Sequence, residues 1–466
     1  MLHVAVVGSG PSGVYTAQTL VSHAPDRAHP GAAGPEEVGP QDIRVDVLDR
    51  LPCPYGLVRY GVAPDHEKIK SLQNNLRTVL DDPRVRFLGG VQVGADGVRP
   101  DQLLELYDAV VYCVGAATDR HLGIPGEDLP GSWSATEFVS WYSAHPDAVE
   151  DTFVRDVRSA VVIGVGNVAV DVCRILARGA DDLRPTDIPQ GALDALARST
   201  VRDVHMVGRR GPSQAKFTTK ELRELATLRE AEVAVDAEEL ALDPDWADPS
   251  SLPAPNRRNV DVLHSWAELP PQGHARRIHL RFFLRPCELL DVGGRVGGVR
   301  FERTLPDGRG GVHGTGEFED IEAQLVLRSV GYRGVPLDGL PFDTASGTVP
   351  NAAGRVLRDG RVAPGEYVAG WIKRGPTGVI GTNRPCAKET VNSLLEDATS
   401  HPRPPREHTT DPLTALRALG LRPVEWTGWQ SIERAEAALG ASLGRGPVKI
   451  PDWAGLLAAA RNGTED

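Results

Sequence analysis

HVAVVGSGPSG, residues 3–13, is the stretch that decides the fold of this chain. An apolar run typical of a buried parallel strand leads into glycines spaced G-x-G-x-x-G, and helical periodicity follows. Gly8 permits a tight turn, Gly10 lets a phosphate approach the backbone, and Gly13 allows a helix to pack closely on the strand. The stretch predicts a dinucleotide-binding unit at the start of the chain.

The next apolar run, IRVDVLD at 43–49, ends in an acid at the position where such units bind a ribose hydroxyl. Asp49 follows Gly13 by 36 residues, more than the roughly 20 that the pattern usually has. The Pro/Gly-rich stretch 25–42 accounts for the excess, and we interpret it as a surface-loop insertion.

A second stretch, RSAVVIGVGNVAVDVCRIL at 158–176, repeats the strand, glycine turn and helix with the variant spacing G-x-G-x-x-A. Its companion strand is followed by Arg209 and Arg210 instead of an acid. Two guanidiniums suit the 2′-phosphate of NADP, which they can hold through charge-assisted hydrogen bonds. The intervening residues 181–200 indicate an inserted helical excursion.

Two nucleotide sites in one chain indicate a redox relay, with NADP at the second turn and FAD most economically at the first. Apolar strands ending in glycine at 110–115 and 325–331 indicate where the chain passes between two domains. The predicted fold is α/β with two Rossmann-like domains, the NADP domain inserted into the FAD domain. The predicted ranges are 1–116 and 331–400 for the FAD domain, 117–330 for the NADP domain and 401–466 for a C-terminal extension packing on the FAD domain.

Residues 366–383, EYVAGWIKRGPTGVIGTN, predict a strand, a turn and a helix that starts at 377–380 and runs to about 396. The partial positive charge of a helix N-terminus would stabilise a reduced flavin ring docked against it.

The composition argues against several classes of protein and of site. The net charge of −12 argues against a nucleic-acid binder, and no run approaches the ~18 apolar residues of a membrane span. The N-terminus has no basic segment of a signal peptide, so we expect a cytoplasmic protein. The five cysteines form no C-x-x-C pair, which disfavours a metal or iron–sulfur site, and we expect Cys113 and Cys173 to be buried.

Three further motifs resemble the adrenodoxin-reductase-like ferredoxin–NADP reductases, most closely those of actinobacteria that use ferredoxin or flavodoxin. They are CPYGLVRYGVAPDHEKIK (53–70), VGRRGPSQAKFTTKELREL (207–225) and AGWIKRGPTGVIGTNRPCAKETV (369–391). The resemblance covers roughly residues 1–400 and implies electron transfer from NADPH through FAD to a one-electron acceptor.

The resemblance also implies which residues bind the cofactors. Two positions depart from the family: Asp49 stands where Glu is usual, and Val165 stands where Asn is common. The first carboxylate therefore reaches less far, and the second position can offer only its backbone N–H. The implied FAD contacts are Ser12, Asp49, Leu57, Val93, Arg120, Trp371, Gly378, Val379 and Ile380. The implied NADP contacts are Val165, Gly166, Asn167, Val168, Arg209, Arg210 and Glu221, with Gly378 beside the nicotinamide.

Hydride transfer needs oriented stacking of nicotinamide on flavin more than it needs an acid or base, so we expect no catalytic triad. The resemblance puts His66 and Glu224 near the reacting rings, where they would orient the nicotinamide or relay a proton. Two plainer interpretations stay open. His66 could be a first-turn residue of a helix capped by Asp65, and Glu224 could be an exposed residue of its helix.

The expected electron acceptor is an acidic ferredoxin or flavodoxin, which must dock on a local basic patch because the net charge opposes encounter. We expect a monomer. Two other functions stay open: a reductase subunit feeding a larger complex, and a sensor that binds FAD and NADP without turnover.

Overall fold

The computed structural model describes residues 1–23, 42–148, 153–400 and 410–461. The predicted surface loop at 25–42 and the first part of the stretch after residue 400 lie outside these ranges, apart from Asp42. The strands are β1 Leu2–Val7, β2 Ile43–Asp49, β3 Val85–Gly89, β4 Ala109–Tyr112, β5 Thr118–Asp119, β6 Ser132–Ser134, β7 Ser159–Ile163, β8 Asp203–Val207, β9 Ala231–Val235, β10 Arg276–Arg281, β11 Leu284–Asp291, β12 Val296–Pro306, β13 Val312–Glu322, β14 Leu325–Arg328, β15 Tyr332–Arg333, β16 Asn351–Ala352, β17 Arg355–Arg358, β18 Arg361–Val368 and β19 Val424–Glu425.

Helices fill most of the connections between these strands. They are α1 Pro11–Ser22, α2 Leu57–Tyr60, α3 Glu67–Lys70, α4 Leu72–Leu80, α5 Pro100–Leu106, α6 Ala135–Tyr142, α7 Asn167–Ala177, α8 Ala180–Leu183, α9 Gln190–Ala197, α10 Thr219–Glu224, α11 Ala237–Ala241, α12 Ala254–Ala267, α13 Trp371–Arg374, α14 Asn383–Ser400, α15 Pro412–Ala418, α16 Trp426–Ser442 and α17 Trp453–Arg461. Within the described residues, no helix is both long and apolar enough to cross a lipid bilayer.

The first sheet has the strand order β16-β17-β18-β4-β1-β2-β3-β19. Strand β1 lies inside it and pairs in parallel with β2 and β4. Val4 and Val6 of β1 are fully buried, as a strand covered on both faces requires. The last strand, β19, pairs antiparallel with β3. The C-terminal segment, residues 410–461, therefore closes one edge of this sheet.

The second sheet has the order β6-β14-β7-β8-β10-β9, and all its pairs are parallel. An antiparallel three-stranded sheet, β11-β12-β13, stands beside it, and Val161 of β7 shares an apolar cluster with Phe301 of β12. Strands of the first sheet come from residues 2–112 and 351–425, whereas those of the second come from 132–328.

The chain crosses between the two sheets twice, and the crossings lie side by side. Strand β5 pairs antiparallel with β15, and the backbone N–H of Arg120 donates to the carbonyl oxygen of Gly331 at 2.9 Å. The apolar strands that precede these crossings, β4 and β14, end at Tyr112 and Arg328.

Some local expectations are confirmed, and one is wrong in detail. Strand β2 has the predicted bounds, the excursion at 181–200 contains α9 and all of α8 but its first residue, and Cys113 and Cys173 are buried. The helix expected to start at 377–380 begins instead at Asn383, after a 3₁₀ turn over Ile380–Thr382, and it ends at Ser400. The helix starts later than expected because the Thr382 hydroxyl accepts a hydrogen bond from the backbone N–H of Val379, which stabilises the 3₁₀ turn before it.

Candidate active site

The first glycine turn connects β1 to α1 at the carboxyl edge of the first sheet. Gly8 has φ +108°, and a Cβ there would lie 2.5 Å from the carbonyl oxygen of Cys113. A Cβ on Gly13 would lie 1.8 Å from the carbonyl oxygen of Gly8. Both positions therefore require glycine, and the close approach aims the N-terminus of α1 at the space above the turn.

Asp49, at the end of β2, is tied to this turn. Its Oδ2 accepts hydrogen bonds from the Ser9 backbone N–H at 2.8 Å and from the Ser9 hydroxyl at 2.5 Å, and its Oδ1 accepts from the Leu51 N–H at 2.9 Å. Burial raises the pKa of Asp49, although these hydrogen bonds oppose the rise. The carboxylate is held in place at the mouth of the turn.

The other residues implied as flavin contacts lie on several elements. Leu57 begins α2 and is 38% exposed, whereas Val93 is buried and bridges to Val98. Arg120 is exposed at the first crossing between the sheets. Trp371 begins α13, where its ring centroid lies 5.2 Å from that of Tyr332 on the second crossing.

Gly378 lies in the loop between α13 and the 3₁₀ turn, with φ +82°. It is exposed, and a Cβ there would lie 2.6 Å from the Thr382 hydroxyl oxygen. Val379 follows with 65% exposure, and Ile380 is half-buried. A backbone in this region of φ strains any residue other than glycine.

The second glycine turn connects β7 to α7. Gly164 has φ +139°, and a Cβ there would lie 2.1 Å from the carbonyl oxygen of Ser329. The carbonyl oxygen of Val165 accepts from the backbone N–H of Lys216 at 2.8 Å. The Asn167 side-chain oxygen accepts from the backbone N–H of Thr218 at 2.7 Å, while Gly166 and Val168 are half-buried. The chain after β8 is therefore held against the turn.

Arg209 and Arg210 follow the end of β8 in this held segment. Strand β8 is the parallel neighbour of β7, with Val207 in register with Ile163, so both strands end at the same edge. Arg209 is exposed and Arg210 is half-buried. Neither guanidinium has an ion-pair partner among the described residues, so both remain available to an anion beside the second turn.

His66 lies at the contact between two structural units of the chain. The first unit contains the first sheet, with strands from 2–112 and 351–425, and the second unit contains the second sheet, with strands from 132–328. His66 precedes α3, on the side of the first sheet, and is 5% exposed. Its Nε2 lies 2.8 Å from Asp171 Oδ1 on α7 and 3.0 Å from Glu221 Oε2 on α10, and its Nδ1 lies 3.6 Å from Glu224 Oε2. Sequence reasoning singled out His66, Glu221 and Glu224, and the structure brings all three together.

These neighbours decide the charge of His66. Burial alone would lower the pKa of His66, but hydrogen bonds to Asp171 and Glu221 outweigh it and raise the pKa to about 9. Burial would raise the pKa of Glu221, and its bond to His66 lowers it instead. At neutral pH the site therefore holds an imidazolium between carboxylates.

Arg174 supplies the second cation of this cluster and is completely buried. It forms a two-pronged pair with Asp65 at 2.7 and 2.9 Å, and it lies 2.9 Å from Asp171 Oδ1 and 3.4 Å from Glu224 Oε2. Asp65 is therefore engaged with α7. The interpretation in which Asp65 caps the helix after His66 is wrong, because His66 itself holds the cap position and no side chain caps α3.

Three side chains of this cluster, His66, Asp171 and Glu221, have ligand atoms within 4.8 Å of one another. The same Asp171 oxygen already accepts from His66 and lies against Arg174. Two cations therefore already neutralise the carboxylates, and we interpret the group as an ion-pair network that joins the two units.

Comparison with known proteins decides the family. Residues 2–238 match the pyridine nucleotide-disulphide oxidoreductase family. The chain is 44% identical to NADPH-ferredoxin reductase FprA of Mycobacterium tuberculosis over 98% of both chains, and 39% identical to the mitochondrial NADPH:adrenodoxin oxidoreductase of Arabidopsis thaliana over 99% of this chain and 96% of that one. This chain belongs to the adrenodoxin-reductase-like ferredoxin–NADP reductases.

Among solved structures, Mycobacterium tuberculosis FprA in complex with NADPH superposes with a TM-score of 0.89 at 44% identity, covering 99% of both chains. The expected fold class is therefore confirmed as the α/β fold of this family, with its Rossmann-like parallel sheets.

Both turns fit the dinucleotides that this reductase family requires. Among the described residues, a Cβ on Gly166 would meet no atom within 4 Å, and one on Gly10 would meet only the Gly56 Cα at 3.9 Å. At the first turn, the buried Ser12 hydroxyl has no hydrogen-bond partner among the described side chains and backbone. Open space, helix N-terminal N–H groups and a spare hydroxyl together suit a phosphate.

Sequence reasoning missed Asp171 and Arg174 of this reductase, and it considered Asp65 only as a helix cap. A signal for Asp171 and Arg174 was present, because they are polar residues three apart on a helix that is otherwise apolar after its first residue, Asn167. Asp65 carried no comparable signal, since its partner Arg174 lies 109 positions away along the chain.

Proposed function

We propose that this chain is an FAD-dependent NADPH–ferredoxin reductase that passes electrons from NADPH to a ferredoxin-type iron–sulfur protein. The observation that carries the proposal is the contrast between the two turns. A tethered carboxylate, Asp49, stands at the first turn, whereas two guanidiniums without ion-pair partners among the described residues, Arg209 and Arg210, stand at the second. Relatives across the full length are named NADPH-ferredoxin and NADPH:adrenodoxin reductases.

We assign FAD to residues 1–116 and 331–400, and NADP to the inserted residues 117–330. The membership of the two sheets supports this division, because no strand of the first sheet comes from 132–328 in the described chain. The FAD contacts are proposed at Gly8, Gly10, Ser12, Gly13, Asp49, Leu57, Val93, Arg120, Trp371, Gly378, Val379 and Ile380. The NADP contacts are proposed at Val165, Gly166, Asn167, Val168, Arg209, Arg210 and Glu221.

FAD supplies the conversion between a two-electron hydride donor and a one-electron acceptor. The residues of the chain bind the two dinucleotides and align them with each other. The two arginines would hold the 2′-phosphate, and the glycine turns would hold the pyrophosphates. Gly378 is proposed to border the nicotinamide, at a φ of +82° that favours glycine. We propose His66 and Glu224 as the groups that orient the nicotinamide or hold a proton near it. Their 3.6 Å separation and the imidazolium state of His66 support that role.

Flavodoxin is proposed as a second acceptor, and the reductase is proposed to act as a cytoplasmic monomer. The net charge of −12 opposes encounter with an acidic protein, so docking must use a local basic surface. Reduction of ferredoxin should therefore slow as salt screens that surface, while reduction of the flavin by NADPH should change little.

The test is the absorption spectrum of the purified protein under anaerobic conditions. We expect a yellow flavoprotein that bleaches on addition of NADPH, far less readily with NADH, and regains its colour when oxidised ferredoxin is added. A protein that carries no flavin when reconstituted with FAD, or that bleaches but never reduces ferredoxin, would overturn the proposal.

A further inference from the structure

The segment that follows α16, residues 443–450, runs between the two sheets' units. The Arg445 side chain gives four hydrogen bonds to the second unit, three to the loop that connects α8 to α9 and one to the first residue of α9. Its donors reach the Arg184 carbonyl at 2.8 Å, the Gln190 side-chain oxygen at 2.6 Å, the Thr186 carbonyl at 3.1 Å and the Ile188 carbonyl at 2.9 Å. A planar guanidinium with all these donors engaged fixes both the position and the orientation of the loop.

That loop is an integral part of the second unit. Leu183 before it, Ile188 within it and Leu193 after it are all buried in the apolar cluster that covers the second sheet. Displacing the loop therefore requires displacing the unit, because a close-packed core transmits movement.

Lys449 extends the connection to the first unit. It is 3% exposed, and its ammonium donates to the carbonyl oxygens of Arg59 at 2.6 Å and Ser143 at 3.2 Å. The same ammonium lies 3.3 Å from Asp187 Oδ2, in the loop that Arg445 holds. Lys70, from the helix after His66, pairs with the other oxygen of Asp187. One buried side chain thus touches both units.

The other end of the C-terminal segment is anchored on the first unit. Trp429 and Ile432 of α16 are buried in the same cluster as Val4 of β1, and the Trp429 ring meets the edge of the Tyr55 ring at 5.9 Å. Glu436 of α16 pairs with the buried Arg59 guanidinium through two hydrogen bonds, at 3.2 and 2.5 Å.

The rate of hydride transfer depends on the angle between the two units. The chain joins them through the paired crossings β5 and β15, about which they could rotate. Displacing reacting atoms by ~1 Å can slow a reaction on the order of a hundredfold. We infer that the C-terminal segment is a brace, in which Arg445 and Lys449 are positioning residues that hold the NADP-binding unit at the angle that brings nicotinamide to flavin. The inference rests on the proposed function.

The first experiment compares Arg445→Ala with Arg434→Ala, whose guanidinium, among the residues that the structure describes, bonds only to the Ser431 hydroxyl within α16. For Arg445→Ala we expect anaerobic flavin reduction at saturating NADPH to be about tenfold slower or more, with FAD content unchanged and the NADPH concentration for half-saturation within twofold. Added guanidinium ion should recover part of the rate. Arg434→Ala should match the parent. A parental reduction rate in Arg445→Ala would overturn the brace.

A distance measurement separates failure of the brace from failure of the proposed function. Spin labels at Gln18→Cys on α1 and Asp261→Cys on α12, in a Cys287→Ser background, report the separation of the units without any turnover. We expect a broader distance distribution in Arg445→Ala and Lys449→Met than in the parent. An unchanged distribution in both would refute the brace, whatever the activity. If Arg445→Ala does not fold, Gln190→Ala removes one of the four bonds and should give a smaller change in the same direction.

Discussion

The imidazole of His66 lies 2.8 Å from the carboxylate of Asp171, although the two residues belong to the units of different sheets. The contact is buried and is shared with Glu221 and Arg174, so it joins the segment before α3 to α7 and α10 at the place where the units meet. The contact between the two units and the proton affinity of His66 are therefore coupled. The same hydrogen bonds that hold the units together also stabilise the charged form of His66.

The first prediction concerns pH. The folded-state pKa of His66, about 9, exceeds its ordinary value of 6.5. The stabilisation from its charged form, about 3 kcal/mol, is fully present below pH 6.5 and is lost as pH rises through about 9. His66→Gln cannot carry the charge. The urea midpoint of the parent should therefore fall relative to that of His66→Gln between pH 7 and 10, and parallel pH profiles would contradict the assignment.

The second prediction concerns the buried Arg174. Its removal in Arg174→Met leaves Asp65 with the partly exposed Arg178 and Asp171 with His66 alone among the described residues, which should destabilise the protein by about 3–5 kcal/mol. Arg178→Met is the matched control, since Arg178 also faces Asp65, at 3.3 Å, but keeps 20% of its side chain exposed. Adding Asp65→Asn to Arg174→Met should recover part of the loss. Urea unfolding followed by tryptophan fluorescence measures all four proteins, and equal midpoints for the two arginine variants would count against the network.

The elements of this fold that the sequence predicted are those determined by patterns within a short stretch of residues. Strands β1, β2 and β7 and the two glycine turns follow from apolar runs and from φ angles that only glycine adopts readily. The start of α14 was misplaced because helical periodicity does not reveal the Thr382 hydrogen bond that closes a 3₁₀ turn first. The contacts of Arg174 with Asp65 and of Lys449 with Arg59 were out of reach, since residues more than a hundred positions apart meet only through the tertiary fold.

The third prediction concerns nucleotide choice. Arg209→Ala combined with Arg210→Ala removes two charge-assisted contacts, each worth roughly 1.5–3 kcal/mol. The kcat/KM for NADPH should fall by about two to four orders of magnitude, mainly through KM, and that for NADH should stay nearly unchanged. Arg202→Ala, an exposed arginine just before β8, should leave both values unchanged. Steady-state kinetics with both nucleotides measures these values. An equal fall in kcat/KM for NADPH and NADH would show that these arginines do not bind the 2′-phosphate.

The last prediction concerns Gly378, proposed to border the nicotinamide. In Gly378→Val a side chain would enter at φ +82° and the new Cβ would lie 2.6 Å from the Thr382 hydroxyl. Flavin reduction at saturating NADPH should slow on the order of a hundredfold, because the rings can no longer approach closely. FAD should remain bound, and the preference for NADPH over NADH should persist because Arg209 and Arg210 are untouched.

Two controls separate the hydride path from local strain at this loop. Gly375→Val has the same strain, at φ +83°, but its Cβ meets nothing within 4 Å, so it should reduce flavin near the parental rate. Adding Thr382→Ala to Gly378→Val relieves the collision with Thr382 and should not restore the rate if the valine blocks the nicotinamide. Anaerobic stopped-flow bleaching measures every variant. Restoration by Thr382→Ala, or a parental rate in Gly378→Val itself, would place the hydride path elsewhere, because a side chain at the contact surface of two stacked rings must slow their reaction.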